Sequence, residues 1–385
     1  MKQLTRLFIP ICLETLFYML SGMVDTLMLS AVGDYAVGAV GTANSYIGIF
    51  IIMFSIISSG MVSVMTQNIG AGRPGVAYQA RQLGLLFNAV AGVLMAVFLF
   101  SGAGAILRMV GIADALYEPA LIYLKIVGGG CILNAVIPIF SSYLRAFGYT
   151  KQPLYATIVG NIANFVMNAV FLFVLHKGVA GVAAATVISK ILNLCIVLYF
   201  SHKLISAKNS TERIANKTVL GQIVKVGLPS ACETALYNVA MMLVIRFLNQ
   251  MDAEGLNVTA RSYTATISNF SYCVGAALAQ ANAIMTGWHI GAGELEECDR
   301  GTKRAAFVGV CVAVCMETAI VLGSGFIMPL FTDNPEMTAL VRKLLAIDIV
   351  LEIGRVTNLV FGQALKTSGD AVFPAVIAAV FMFVF

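Results

Sequence analysis

Long apolar runs separated by short polar breaks recur along the whole chain. Crossing about 30 Å of hydrocarbon takes about 20 largely apolar residues. The pattern predicts such spans near 7–30, 44–67, 84–106, 120–143, 154–175, 180–201, 223–248, 262–287, 305–328 and 341–363. An eleventh begins near 371 and is cut off at Phe385. The longest polar stretch, roughly 201–221, is too short to bury a core of its own. The expected fold class is an all-α polytopic membrane protein.

Composition strengthens this reading. Of the 385 residues, 59% are hydrophobic and 11% charged, against about 25% charged in soluble domains. A bilayer is the solvent that suits such a surface. The start, MKQLTRLFIP, has the basic end of a signal peptide, but the run after it carries Glu14 and Asp25 and has no convincing cleavage site. It is read as a retained first span. Most of the eight cysteines sit inside apolar runs and none forms a CxxC pair. Neither a disulfide framework nor a metal site is expected.

Charge then sets orientation. The net charge of +5 is spread over short loops, which suits membrane topology better than nucleic-acid binding. With the N-terminus inside, fifteen Lys and Arg fall on inside loops, including Arg81, Arg145, Lys208 and Lys366, and five fall outside. A multi-pass plasma-membrane protein with a cytoplasmic N-terminus is expected.

An internal repeat gives the organisation. Pro10-Ile11-Cys12-Leu13-Glu14-Thr15 echoes Pro229-Ser230-Ala231-Cys232-Glu233-Thr234, an offset of 219. Ile69-Gly70-Ala71-Gly72 echoes Ile290-Gly291-Ala292-Gly293, and Leu144, Arg145, Gly148 and Pro153 echo Leu365, Lys366, Gly369 and Pro374, both at 221. Each copy holds six spans, so the copies run parallel and can rock about a central cavity. The expected division is an N-terminal lobe at 1–205, a cytoplasmic linker at 206–222 and a C-terminal lobe at 223–385. The second lobe stops within its eleventh span, so a longer parent chain is expected.

Three stretches carry a family resemblance. They are Pro10 with Val24-Asp25-Thr26 in span one, Gln67-Asn68-Ile69-Gly70-Ala71-Gly72 after span two, and Leu144-Arg145-Ala146-Phe147-Gly148 after span four. In this order the chain resembles, over its whole length, the multidrug and toxic compound extrusion (MATE) transporters of a Firmicutes-like bacterial branch. The resemblance implies twelve helices in two six-helix lobes and export of organic cations against inward H⁺ or Na⁺.

A charge inside a span costs about 2.5–3.5 kcal/mol, so each one needs a reason. Asp25 has no basic residue within a turn of its own helix, and it can take up a proton or a Na⁺. Asn164 and Asn168 lie four apart on one face of span five, and Thr186 lies in span six. The resemblance implies that they join Asp25 in one polar cluster. Plain interhelical hydrogen bonding is the competing role. Asn168 stands where some relatives carry Asp, which weakens a Na⁺ site, because a hard cation prefers anionic oxygen. A single-proton relay through Asp25 is left.

Glu14 and Glu233 are repeat partners, each four residues past a proline. They are expected to face the cavity and attract cations, or else to be solvated near the membrane edge. Asp348, Glu352 and Arg355 share one stripe of span ten, either as an internal ion pair or as cavity residues. Tyr18, Tyr46, Tyr237 and Tyr263 are candidates for an adaptable drug-binding wall.

No Walker A motif or catalytic signature is present. The expectation is secondary active multidrug efflux, not an enzyme, with no cofactor beyond the coupling ion. The expected partners are organic cation drugs or metabolites, H⁺ or Na⁺, and membrane lipids. Nucleic acid is not expected, and the protein is expected to be monomeric. The alternative is a flippase for lipid-linked oligosaccharide. The in-span cations Lys125, Lys190, Arg246 and Arg355 are balanced by Glu14, Asp25, Glu233, Asp348 and Glu352, which argues against the basic cavity such a flippase presents.

Overall fold

Most of the apolar runs fold into helices longer than the hydrocarbon requires. The structure, a computed structural model, describes residues 2–205, 212–251, 256–332 and 334–384. Twelve α-helices are present among them: α1 (Lys2–Ser30), α2 (Asp34–Gly70), α3 (Pro74–Val110), α4 (Asp114–Gly129), α5 (Cys131–Ala146), α6 (Lys151–Ala169), α7 (Gly178–Leu204), α8 (Asn216–Met251), α9 (Leu256–Ala292), α10 (Leu295–Ile327), α11 (Pro335–Ser368) and α12 (Val372–Val384). At 1.5 Å per residue, α2, α3 and α9 are each about 55 Å long, so they extend well past the apolar cores seen in the sequence.

Among the described residues seven helices are individually long and apolar enough to cross a membrane, and up to eight crossings result if α4 and α5 form one bent span. α9 and α11 are as long but more polar. Their polar side chains turn inward: Ser268, Ser271, Asn282, Thr286 and Glu352 are all buried. Large apolar side chains point outward instead, with Leu322 80% and Phe326 89% exposed. This inversion suits a bilayer.

The structure revises three boundaries. The fourth expected span, 120–143, is two helices that bend by 42° at Gly130. The run Gly128-Gly129-Gly130 is the weak point, since glycine gives a helix little support. The repeat-related stretch of α11 has no such run and stays continuous. The expected linker at 206–222 overlaps α8, which is already helical from Asn216. Lys208 and the 206–211 part of that linker lie outside the described residues, as does Phe385. Arg81, expected in a loop, is a buried residue of α3 with its guanidinium 4.5 Å above the Tyr78 ring.

Helices α2 to α7 pack on one another around two apolar clusters, one built on Leu99, Leu124 and Ala183, the other on Met61, Tyr143 and Val197. Helices α9, α10 and α11 form a second group, and the start of α1 docks on it through Leu4, Leu7 and Ile11. The turn after α5 and the turn after α11 both close on glycine, Gly148 at φ 83° and Gly369 at φ 98°. That left-handed backbone disfavours other residues, and these two glycines are repeat partners.

The halves of the chain meet where α2 crosses α8 and α9. Backbones touch there. A Cβ on Gly60 would overlap the Ile223 carbonyl oxygen, and one on Gly227 would overlap that of Ile56. The crossing of α2 and α9 obeys the 221-residue offset. Gly70 abuts the Trp288 carbonyl, and Gly291 abuts the Gln67 carbonyl. The hydrogen bonds reciprocate as well: Gln67 Nε2 donates to Thr367 O at 2.5 Å, and Trp288 Nε1 donates to Ala146 O at 2.9 Å. Small residues thus close one end of the bundle by direct helix contact.

Candidate functional site

Above this closed end lies a cavity of about 910 Å³, walled by α1, α2, α4 to α7, α9 and α11. Its lining carries both charge signs. Glu14 and Asp25 supply the acids, and Arg145, Lys190 and Lys366 the bases.

Asp25 belongs to the last third of α1 and lines this cavity. Its Oδ1 accepts a hydrogen bond from Asn168 Nδ2 at 2.7 Å. The same amide lies 3.1 Å from Asn164 Oδ1, one turn back on α6. Asn168 is fully buried, and a π-helical turn, Val170–Val174, follows at once. Such a turn inside a helical run often marks a functional position. Thr186 lines the same wall, but its hydroxyl is engaged by the Val182 carbonyl at 2.9 Å. Thr186 therefore reaches the cluster through Tyr123, which stands against both Thr186 and Asn44 with Asp25 in electrostatic range.

Lys190, like Lys125 and Arg246, has no partner nameable from the sequence. Its Nζ donates to Asn134 Oδ1 at 2.8 Å and lies in electrostatic range of Asp25. The pairing was partly readable, because Lys190 follows Thr186 by one helical turn and so shares its face. That α7 would set this face against α1 is tertiary information.

The two repeat-related glutamates are neutralised. Glu14 Oε1 lies 2.6 Å from Arg145 Nη2, and Glu233 Oε2 lies 2.8 Å from Lys366 Nζ. Arg145 and Lys366 are themselves repeat partners, so each half carries the same ion pair. Arg145 also donates to Gln280 Oε1 of α9 at 3.2 Å and so bridges the halves. This corrects the expectation of two free acids attracting cations. Glu14 reaches the cavity already paired, and Glu233 is absent from the lining. Breaking a buried pair strands a charge, typically at about 3–5 kcal/mol. The cavity admits water, so we expect Glu14→Gln to cost about 2 kcal/mol and Glu14→Gln/Arg145→Gln to cost less. Thermal unfolding in detergent tests this, and an additive double variant would refute it.

The remaining candidates separate from the cavity. Tyr18 lines it, whereas Tyr237 does not. Tyr263 lies tilted against Phe331 with ring centroids 5.5 Å apart, and Tyr46 packs against the core around Ala43 and Leu124. Glu352 and Arg355 also lie outside the lining. Arg355 instead pairs with Glu352 and, at 3.3 Å, with Asp348 inside the second helix group. The internal ion pair is thus the better description of that stripe. A residue that sequence reading passed over, Glu317 of α10, joins these acids and is fully buried.

Known proteins resemble the chain along nearly all of its length. It is 32% identical over 379 residues to the uncharacterized transporter YisQ of Bacillus subtilis (strain 168), covering 97% of this chain and 83% of that protein. An outward-facing multidrug resistance MATE family transporter of the MOP superfamily superimposes with a TM-score of 0.87 at 19% identity, covering 100% of this chain and 86% of that one. A single-residue mutant of the Vibrio cholerae MATE transporter VcmN gives 0.88 at 18% identity, covering 100% and 87%. A MOP superfamily transporter from Pyrococcus furiosus, described by a reversed polarity of its binding pocket, gives 0.84 at 20%, covering 100% and 86%. The MatE family model matches twice, over residues 10–170 and 229–385, and the matches open on the repeat-related Pro10 and Pro229. The chain belongs to the MatE family of membrane transporters.

Proposed function

We propose that this chain is an ion-coupled exporter that exchanges H⁺ for a drug-sized organic solute held between two rocking lobes. The observation that carries the reading is Asp25, a carboxylate with one amide donor, at the wall of a roughly 910 Å³ cavity reached by both halves of the chain. A proton changes the charge of that wall by one unit, which is what coupling needs. Two neutral amides and a nearby ammonium give Na⁺ little to bind, so the coupling ion is H⁺. The two lobes follow the repeat, the second opening with α8 at Asn216, and the glycine-packed end faces the cytoplasm in the plasma membrane. That end is closed here, so the cavity opens outward.

An organic cation is the first substrate class, in keeping with the multidrug resistance transporter of the same fold. One observation favours the second reading, export of an anionic lipid-linked solute. Arg145, Lys190 and Lys366 outnumber Glu14 and Asp25 on the cavity wall. This reverses the balance inferred for the spans from sequence. Sealed vesicles containing the purified protein separate the two. A fluorescent organic cation should move against an imposed proton gradient, accumulating on the acidic side, and a Na⁺ gradient should do nothing. Movement of a lipid-phosphate analogue in place of the cation would select the second reading, and movement driven by Na⁺ alone would refute H⁺ coupling.

A further inference from the structure

Five charged side chains line the cavity: Glu14, Asp25, Arg145, Lys190 and Lys366. Three of them are cancelled by ion pairs, Glu14 with Arg145, and Lys366 with Glu233, which lies outside the lining. Counted by pairs rather than by residues, the wall is left with two charges of opposite sign, Asp25 and Lys190. No ion pair among the described residues includes either of them.

The bend between α4 and α5 builds the seat of Lys190. Gly130, at the bend, lets α7 approach so closely that a Cβ there would stand 3.2 Å from Val187 Cγ2. One turn further along each helix, Asn134 Oδ1 accepts a hydrogen bond from Lys190 Nζ at 2.8 Å. An ammonium has hydrogens to give and no lone pair, so this bond fixes which way the amide points. It leaves Asn134 Nδ2 buried without a partner. The tether is neutral, so it holds the ammonium in place without cancelling its charge. Cys131 of α5 and Asp25 of α1 lie in electrostatic range of Lys190. Tyr123 of α4 and Thr186 of α7 complete the surroundings of Asp25 on this side. Asp25 is the one carboxylate among these groups.

We propose that Lys190, tethered by Asn134, is the specificity-determining cation of the cavity: it weakens the hold of the wall on an organic cation and on the Asp25 proton together. Both are positive charges drawn to the same carboxylate, and a fixed ammonium nearby repels each. A solute of negative charge is favoured by the same ammonium. A proton on Asp25 leaves Lys190 as the one uncompensated charge of the lining, which favours release of a cation. The effect on the proton rests on the reading of Asp25 as the proton carrier. The effect on solute charge needs no more than a solute inside this cavity.

Binding of two fluorescent probes of similar size, an organic cation and an organic anion, to the full chain in lipid tests it. Lys190→Met should tighten the cation by about threefold and weaken the anion by about threefold, the scale of one charge across a watery cavity. The ratio of the two affinities then rises by about tenfold. Lys190→Arg should keep the parental ratio. Asn134→Asp leaves Lys190 in place but pairs it with a carboxylate, so it should reproduce the shift, and it carries the test if Lys190→Met does not fold. In vesicles, the midpoint of the pH profile of efflux should rise by about one unit in Lys190→Met and Asn134→Asp, and stay put in Lys190→Arg. With Asp25→Asn as the parent, the shift in affinity ratio should persist. A persisting shift beside efflux that ignores the proton gradient would defeat the proton-carrier reading and uphold Lys190 as the specificity residue. The proposal is overturned if Lys190→Met and Asn134→Asp leave the ratio unchanged, if they move both probes in the same direction, or if Lys190→Arg behaves like Lys190→Met.

Discussion

Asp25→Asn should reduce gradient-driven efflux to background while leaving a folded protein that still binds its solute. The substitution keeps the size of the side chain and one oxygen able to accept from Asn168. What it removes is the charge that comes and goes. An acidic residue at the centre of a span costs about 2.5–3.5 kcal/mol to place there, roughly two orders of magnitude in an equilibrium. In the proposed cycle that difference is the means by which a proton biases one arrangement of the lobes over another. A ligand with equal affinity for both states shifts nothing, and a permanently neutral residue 25 stands in that position toward the gradient. Initial efflux from vesicles should fall by about 30-fold or more, within the bound set by that penalty. Solute affinity, read by fluorescence, should stay within about threefold, since Asp25 is one wall group among many. Efflux that kept its dependence on the proton gradient in Asp25→Asn would move the coupling site elsewhere.

The placement of charges shows which parts of the protein were legible in sequence. The apolar spans and the repeat followed from local patterns, because a span is defined by its own apolar length and a repeat by its own residues. The break in span four and the early start of α8 concern helix continuity, where a glycine run and a polar stretch carry only weak local signals. The proximity of Asp25, Asn164 and Asn168 was anticipated through family resemblance, not from spacing. Lys190 was seen but given no partner, since its neighbours come from α1 and α5. Glu14 and Glu233 were correctly linked to each other yet treated as free acids. Their partners Arg145 and Lys366 had been placed in inside loops by the charge count. The repeat already related those two cations, so a joint reading of both repeat motifs held the ion pairs within reach. Glu317 was missed because a single acid in an apolar run has no spacing to interpret. Only the packing of α9 and α11 gives it company.

The largest structural effect should come from the crossing of α2 and α9. Gly70→Ala and Gly291→Ala each place a Cβ against a backbone carbonyl, that of Trp288 or of Gln67. A flexible side chain can swing aside, but a helical carbonyl cannot, so the helices must separate. Separation loosens both reciprocal hydrogen bonds, from Gln67 to Thr367 O and from Trp288 to Ala146 O. Overpacking of a tight contact costs about 1–3 kcal/mol, and lost hydrogen bonds add about 1 kcal/mol each. The double variant should therefore disfavour the closed arrangement of this end by about 100-fold or more. An alternating transporter that cannot close one end is left open to that side and turns over slowly. Spin labels at the exposed turn residues Arg73 and Glu294, with the exposed native cysteines replaced, should report a longer and broader distance in the double variant than in the parent. Transport should fall by about tenfold or more, in proportion to the lost closed population. Unchanged distances together with normal transport would show that the contact is incidental to the cycle. Lengthened distances with normal transport would mean that closure at this end is achieved by the α2 and α8 crossing at Gly60 and Gly227 alone.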